Sequence, residues 1–469
     1  MTDRIVTERF DSSITMPTPE VYYAGGDGGA GDSPSNEKEK GKETNHEARK
    51  SSLKTSEIIQ HNPAVWYKHT KSLLAGIKSN WLLIFFIPAV VMTKYKGHIS
   101  SIVIFIFNML AIIPLAKILT ISIDDITARI GPAYQSVLHA FSGNCVELII
   151  LGFALYDKQY SIVRSSVLGA ILSNILLILG AVFLIASLPK KGRPANLNTD
   201  IDAAFFVNTS ASVLALAVLA LVTPATFKIA APPETGINCD MQNISRATAI
   251  ILLLLYAGLL VFQLKTHAKE LIDMTEVEQH EAKYFLVFDI LLAALAIAGI
   301  TFCSKYLVIS IEHLAEEYRL GHSFVGMVLL PTCVISNALE HYHAIKDAHK
   351  DKIDTAISLV LNTSVQIALL VGPLLVIVGW IINRPLTLDF TQLEIAVLAC
   401  SVLIVNYLVA DSKANWLEGA MLLASYLIIA VAFFYFPNSP TDNDASLAEC
   451  NPLRRNLPPK PSSTASAAH

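Results

Sequence analysis

The chain has 469 residues, 53% hydrophobic and only 16% charged, a net charge of −4 and a mean hydropathy of +0.50. Soluble domains carry about 25% charged residues, so this balance excludes an ordinary soluble domain and points to a membrane protein. The mild charge argues against nucleic acid as a partner. Six scattered cysteines, Cys145, Cys239, Cys303, Cys333, Cys400 and Cys450, lack the paired spacing of a disulfide framework or a zinc site.

Residues 1–74 read as a cytosolic N-terminal tail. Up to about Pro63 it is rich in Gly, Ser, Lys and Glu, as in Ala24-Gly-Gly-Asp-Gly-Gly-Ala30 and Glu37-Lys-Glu-Lys-Gly-Lys-Glu43. With no apolar period it cannot offset its ordering entropy, so it is expected to be disordered. No apolar run follows a basic start, so no cleaved signal peptide is expected. A second polar tail, rich in Pro and Ser, covers 438–469.

Between them, residues 75–437 form a transmembrane domain. A bilayer core needs roughly 20 apolar residues per helix. That length predicts spans near 80–93, 98–121, 135–156, 162–187, 202–223, 247–264, 284–304, 321–344, 355–382, 389–410 and 414–436. The fold class is therefore an all-α membrane protein of about 11 transmembrane helices. Loop lysines and arginines are in modest excess on the side of the N-terminal tail, which places that tail in the cytosol. The loop 224–246 then faces away from the cytosol and carries the sequon Asn243-Ile-Ser245. The loop 265–283 is cytosolic and holds Glu270, Asp273, Glu276, Glu278 and Glu281. It reads either as a charged linker or as an acidic helix that senses calcium.

Charge inside a bilayer is costly and calls for a functional reason. Two acids stand out. Glu147 lies in Ser142-Gly-Asn-Cys-Val-Glu-Leu-Ile149 on the third span, and Glu340 lies in Ser336-Asn-Ala-Leu-Glu-His341 on the eighth. Each follows an asparagine three residues earlier, Asn144 or Asn337, and an i, i+3 pair shares a helix face. Downstream, Ser173-Asn174 is matched by Ser364-Val365-Gln366; upstream, Ile123-Asp-Asp-Ile126 is matched by Ile311-Glu-His-Leu314. Two internal repeats follow, roughly 98–187 and 284–382. Five spans separate the two glutamates, so the halves are inverted, an arrangement that puts a substrate site where they meet.

Two carboxylates with amide and carbonyl oxygens make a hard ligand set of the kind calcium prefers. Burial disfavours two like charges, so protons would neutralise them when no cation is bound. Competition of Ca2+ and H+ for the same oxygens would then amount to exchange. His341, next to Glu340, could relay protons or simply face a neighbouring helix. His343 and His349 fall toward a polar loop. Asp124, Asp125, Glu312, Glu316 and Glu317 sit near span ends, either as acidic mouths that gather cations or as solvated faces. Nothing resembles a nucleophile with a placed base, so no enzyme activity is expected.

At these residues the sequence resembles the cation/proton exchanger family, and within it the fungal vacuolar Ca2+/H+ exchangers of the Ca2+/cation antiporter superfamily. Gly143-Asn-Cys-Val-Glu-Leu-Ile149, Leu168-Gly-Ala-Ile-Leu-Ser-Asn-Ile-Leu176, Phe262-Gln-Leu-Lys-Thr-His267, Ser401-Val-Leu-Ile-Val-Asn-Tyr407 and Asn415-Trp-Leu-Glu-Gly-Ala420 carry the likeness. It implies a peripheral first helix followed by two inverted five-helix repeats, about 98–223 and 284–436. It also implies that Glu147 and Glu340 bind Ca2+ and protons alternately. Asn144, Asn337, Ser173, Asn174 and Gln366 would line the site, with His341 beside it. The vacuolar membrane would be the location, the proton gradient the driving force, Ca2+ and H+ the partners, and no cofactor would be needed. The chain departs from the family pattern at Ser336, Leu339, Ala170 and Asn362-Thr363, the last standing where Gly-Ser is usual. Other readings are a Na+-coupled or Mn2+-preferring exchanger, or a membrane regulator that keeps the fold without transporting.

Overall fold

A computed structural model describes residues 80–92, 100–129, 132–188, 199–200, 204–231, 237–267, 285–333, 338–410 and 413–437. Both predicted tails, the acidic stretch 270–281, Ser336 and Asn337 lie outside the described residues.

Apolar sequence in a bilayer must satisfy its own backbone, and helices do so within one segment. The described residues are accordingly almost all helical. A 3-10 turn, Asn80–Phe85, leads into α1, Phe86–Met92. The first repeat supplies α2, Ser101–Thr127, α3, Pro132–Tyr156, α4, Tyr160–Ser187, and α5, Ala204–Ala230. α6, Ile237–Val261, ends in a wide π turn at Phe262–Thr266. The second repeat begins with α7, Leu286–Glu317. Short helical pieces at His322–Phe324, Val325–Leu329 and Leu330–Cys333 follow, then α8, Ala338–His349. α9, Ile353–Ile381, α10, Gln392–Ala410, and α11, Trp416–Phe434, complete it. Eight helices among the described residues are long and apolar enough to cross a bilayer, and Leu83–Met92 and Gly143–Tyr156 are shorter apolar helices. A two-residue antiparallel ladder joins β1, Thr199–Asp200, to β2, Lys413–Ala414.

Polar side chains mark where the last two helices start. At α11 the Asn415 side chain accepts from the Glu418 backbone N–H (3.0 Å) and the Glu418 carboxylate accepts from the Asn415 N–H (3.2 Å). This reciprocal cap satisfies two donors left over at a helix start. Thr391 and Glu394 repeat the device at α10, and the second Glu394 oxygen accepts from Ser165 of α4.

The inversion of the repeats appears in their first helices, α2 and α7, which pack along each other. Near the end of α2, Arg129 Nη2 lies 3.1 Å from Asp289 Oδ2, in the first turn of α7. Leu115, nearer the middle of α2, lies against Gly299 near the middle of α7. The end of one helix therefore meets the start of the other, so the two run antiparallel. The halves approach closely elsewhere. A Cβ at Gly169 of α4 would stand 2.3 Å from the Met327 carbonyl oxygen, so only glycine lets these backbones meet, the role small residues play between membrane helices.

Three expectations need correction. α2 continues to Thr127, so Asp125 is no solvated mouth residue but is fully buried, whereas Glu312, Glu316 and Glu317 are exposed. The sequon lies within α6 rather than in a loop. Ser245 is 0% exposed, and its hydroxyl accepts from the Leu388 N–H at 3.0 Å. Cys239 is disulfide-bonded, although its spacing gave no sign of a bridge, while Cys145, Cys303 and Cys400 are free thiols.

Candidate functional site

Both repeats use the same backbone plan around their glutamate. Glu147 lies on α3, and α4 opens at Tyr160 after a turn in which Lys158 takes a φ of 64°. Glu340 lies on α8, and α9 opens at Ile353 after a turn in which Asp351 takes a φ of 66°. The interval from Glu147 to Tyr160 equals that from Glu340 to Ile353. Both second helices then widen into a π turn, at Ser173–Ile178 and at Ile367–Val371. Such turns inside α-helices concentrate at functional sites, because the extra residue re-aims the side chains around it. Counted from either glutamate, Gln366 occupies the place of Ser173, not that of Asn174, with which its amide had paired it in the sequence.

The two glutamates are 7% and 6% exposed, and Asn144, Ser173, Asn174 and Gln366 are buried as well. Two hydrogen bonds tie the halves to each other. Asn144 Nδ2, from the first, donates to Gln366 Oε1 of the second at 2.8 Å. His341 Nε2, from the second, lies 2.9 Å from Asn174 Oδ1 of the first. Each glutamate-bearing segment is thus bonded to the π-turn helix of the opposite half. His341 thus faces a neighbouring helix, α4 of the other repeat. Ser173 Oγ and Asn174 Nδ2 are buried and find no hydrogen-bond partner among the described residues, a costly condition unless something else engages them.

Glu340 is held from two sides. Thr363 Oγ1 donates to its Oε2 at 2.9 Å. Its Oε1 lies so near Gly143 that a Cβ there would stand 1.7 Å from it. The carboxylate of one half therefore rests on the backbone next to Asn144 of the other. Neither Thr363 nor Gly143 stood out as a site residue in the sequence. Thr363 carried a usable signal, since it lies three residues before Gln366 and so on the same helix face. Asn337, predicted to line the site, lies outside the described residues. His343 is half-buried, His349 is exposed, and neither forms a contact with Glu147 or Glu340 in the bonds described above. Among the described residues no three His, Cys, Asp or Glu side chains gather as a metal centre.

Residues 100–265 and 288–435 match the profile of the family described as sodium/calcium exchanger protein. The chain belongs to that family. The interval between the two matched blocks contains the acidic stretch 270–281. Within the sodium/calcium exchanger family, the chain is 40% identical over 370 residues to the vacuolar calcium ion transporter of Schizosaccharomyces pombe, covering 78% of this chain and 87% of that one. It is 35% identical over 374 residues to the Ca(2+)/H(+) antiporter of Aphanothece halophytica, covering 76% and 96%. The solved structure of native YfkE superposes with a TM-score of 0.60 at 29% identity, over 76% of this chain and 100% of that one.

Proposed function

We propose that this protein is a secondary antiporter that moves Ca2+ out of the cytosol in exchange for lumenal H+ across the vacuolar membrane, by alternating access. Glu147 and Glu340 bind Ca2+ when ionised and carry protons when it leaves. Asn144, Asn337, Ser173, Asn174 and Gln366 supply amide and hydroxyl groups around them, and His341 orients Asn174. The observation that carries this reading is the pair of buried glutamates, one per inverted half, in segments bonded across to the opposite half. Hard oxygen donors suit a hard divalent cation, and uncompensated buried charge is expensive enough to need either that cation or protons. The names of the fungal and cyanobacterial relatives support the choice of ions, and that of the fungal relative the choice of membrane.

Purified protein in vesicles with an acidic lumen tests it. Radioactive calcium should accumulate, and a protonophore should abolish the uptake. Glu147→Gln and Glu340→Gln should each eliminate transport while leaving membrane insertion intact. Full activity in either variant removes the proposed site, and uptake that follows an imposed Na+ gradient instead makes the protein a Na+-coupled exchanger.

A further inference from the structure

Thr363 lies on α9 and is 2% exposed. Three hydroxyl or amide residues follow one another there, and each has a different job. Ser364 donates back to the Val360 carbonyl at 2.9 Å, inside its own helix. Asn362 Oδ1 accepts from Gln263 Nε2 of the α6 π turn at 3.3 Å, which braces this face of α9 against α6. Thr363 alone of the three reaches the site, donating to Glu340 Oε2. Threonine in a helix divides between two χ1 rotamers, and the bond to Glu340 selects the one whose hydroxyl faces the site. The opposite oxygen of the same carboxylate is against the Gly143 backbone. Glu340 is thereby bonded at one oxygen from its own half and closely packed at the other against the opposite half.

We propose that Thr363 is a positioning residue for calcium binding: its hydroxyl holds one oxygen of Glu340 so that the carboxylate keeps a fixed orientation toward the ion. This rests on the reading of Glu340 as a calcium ligand. A donor to a charged acceptor is worth more than one between neutral groups, so losing it weakens binding of an ion that needs the carboxylate aligned. The brace from Gln263 to Asn362 keeps Thr363 facing Glu340.

The test is initial-rate calcium uptake by the full-length protein in vesicles, for Thr363→Val, Thr363→Ala and Thr363→Ser. Val keeps the shape without the hydroxyl, Ala removes both, and Ser keeps the hydroxyl. The Val and Ala variants should raise KM for Ca2+ about tenfold, the size of one hydrogen bond to a charged group. Maximal rate should stay within about twofold, and Ser should return KM to within about twofold of the native value. A native KM in both Val and Ala overturns the proposal, as does a Ser variant as weak as Val, which would make the methyl group rather than the hydroxyl the important part. Glu340→Gln separates the two levels. If it is inactive while Val and Ala behave as native protein, only the positioning role fails. If it is active, the site itself is wrong.

Discussion

Glu340 has little room to move. A methyl group added at Gly143 would occupy the position of its Oε1, 1.7 Å away, and a contact that short must push the carboxylate aside. Gly143→Ala should therefore cut calcium transport at least about tenfold, since one displaced ligand costs more than 1.4 kcal/mol of binding. Insertion should be unaffected, as measured by surface labelling of vesicles alongside uptake. Uptake at the native rate would mean that the Glu340 carboxylate need not stay where it lies. The Asn-x-x-Glu spacing announced both acids because intramembrane charge is rare. The grip on Glu340 was not legible, because a glycine and a threonine have many uses in a membrane helix and only contact with a particular side chain selects this one.

Helices α4 and α9 each combine an ordinary apolar run with a π turn beside the polar residues. The run is visible as hydropathy. The turn is not, because one extra residue changes no composition. Gln366 matches Ser173 by residue count from each glutamate, whereas its pairing with Asn174 rested on the likeness of two amide side chains. The crossing of α4 against the stretch before α8 depends on bare backbone. The Met327 carbonyl oxygen lies 2.3 Å from where a Gly169 Cβ would be, and backbone cannot step aside as a flexible side chain can. Gly169→Val should destabilise the protein by at least about 1–3 kcal/mol, the range for overpacking a tight interior. A thermal denaturation curve in detergent measures it, and an unchanged midpoint would show that the crossing yields.

For the molecule as a whole, exchange follows if calcium and protons compete for the same carboxylates. A protonated glutamate does not bind calcium. Raising the pH on the cytosolic face should then lower KM for Ca2+ and leave the maximal rate at saturating Ca2+ nearly unchanged, with the lumenal pH held constant. Initial rates across a series of external pH values check this. A KM independent of cytosolic pH would place the two ions on separate groups. Composition and hydropathy alone determined the class of protein and where eight long apolar helices lie among the described residues, because burying about 20 apolar residues per helix in lipid is a local requirement met one segment at a time. The paired Asn-x-x-Glu segments likewise carried the choice of ions. What only the tertiary structure decided is which groups meet. Asn144 with Gln366, His341 with Asn174, and Thr363 with Glu340 all join residues from different helices. Those pairings depend on helix rotation and crossing, which the packing of the whole bundle sets and no single segment encodes.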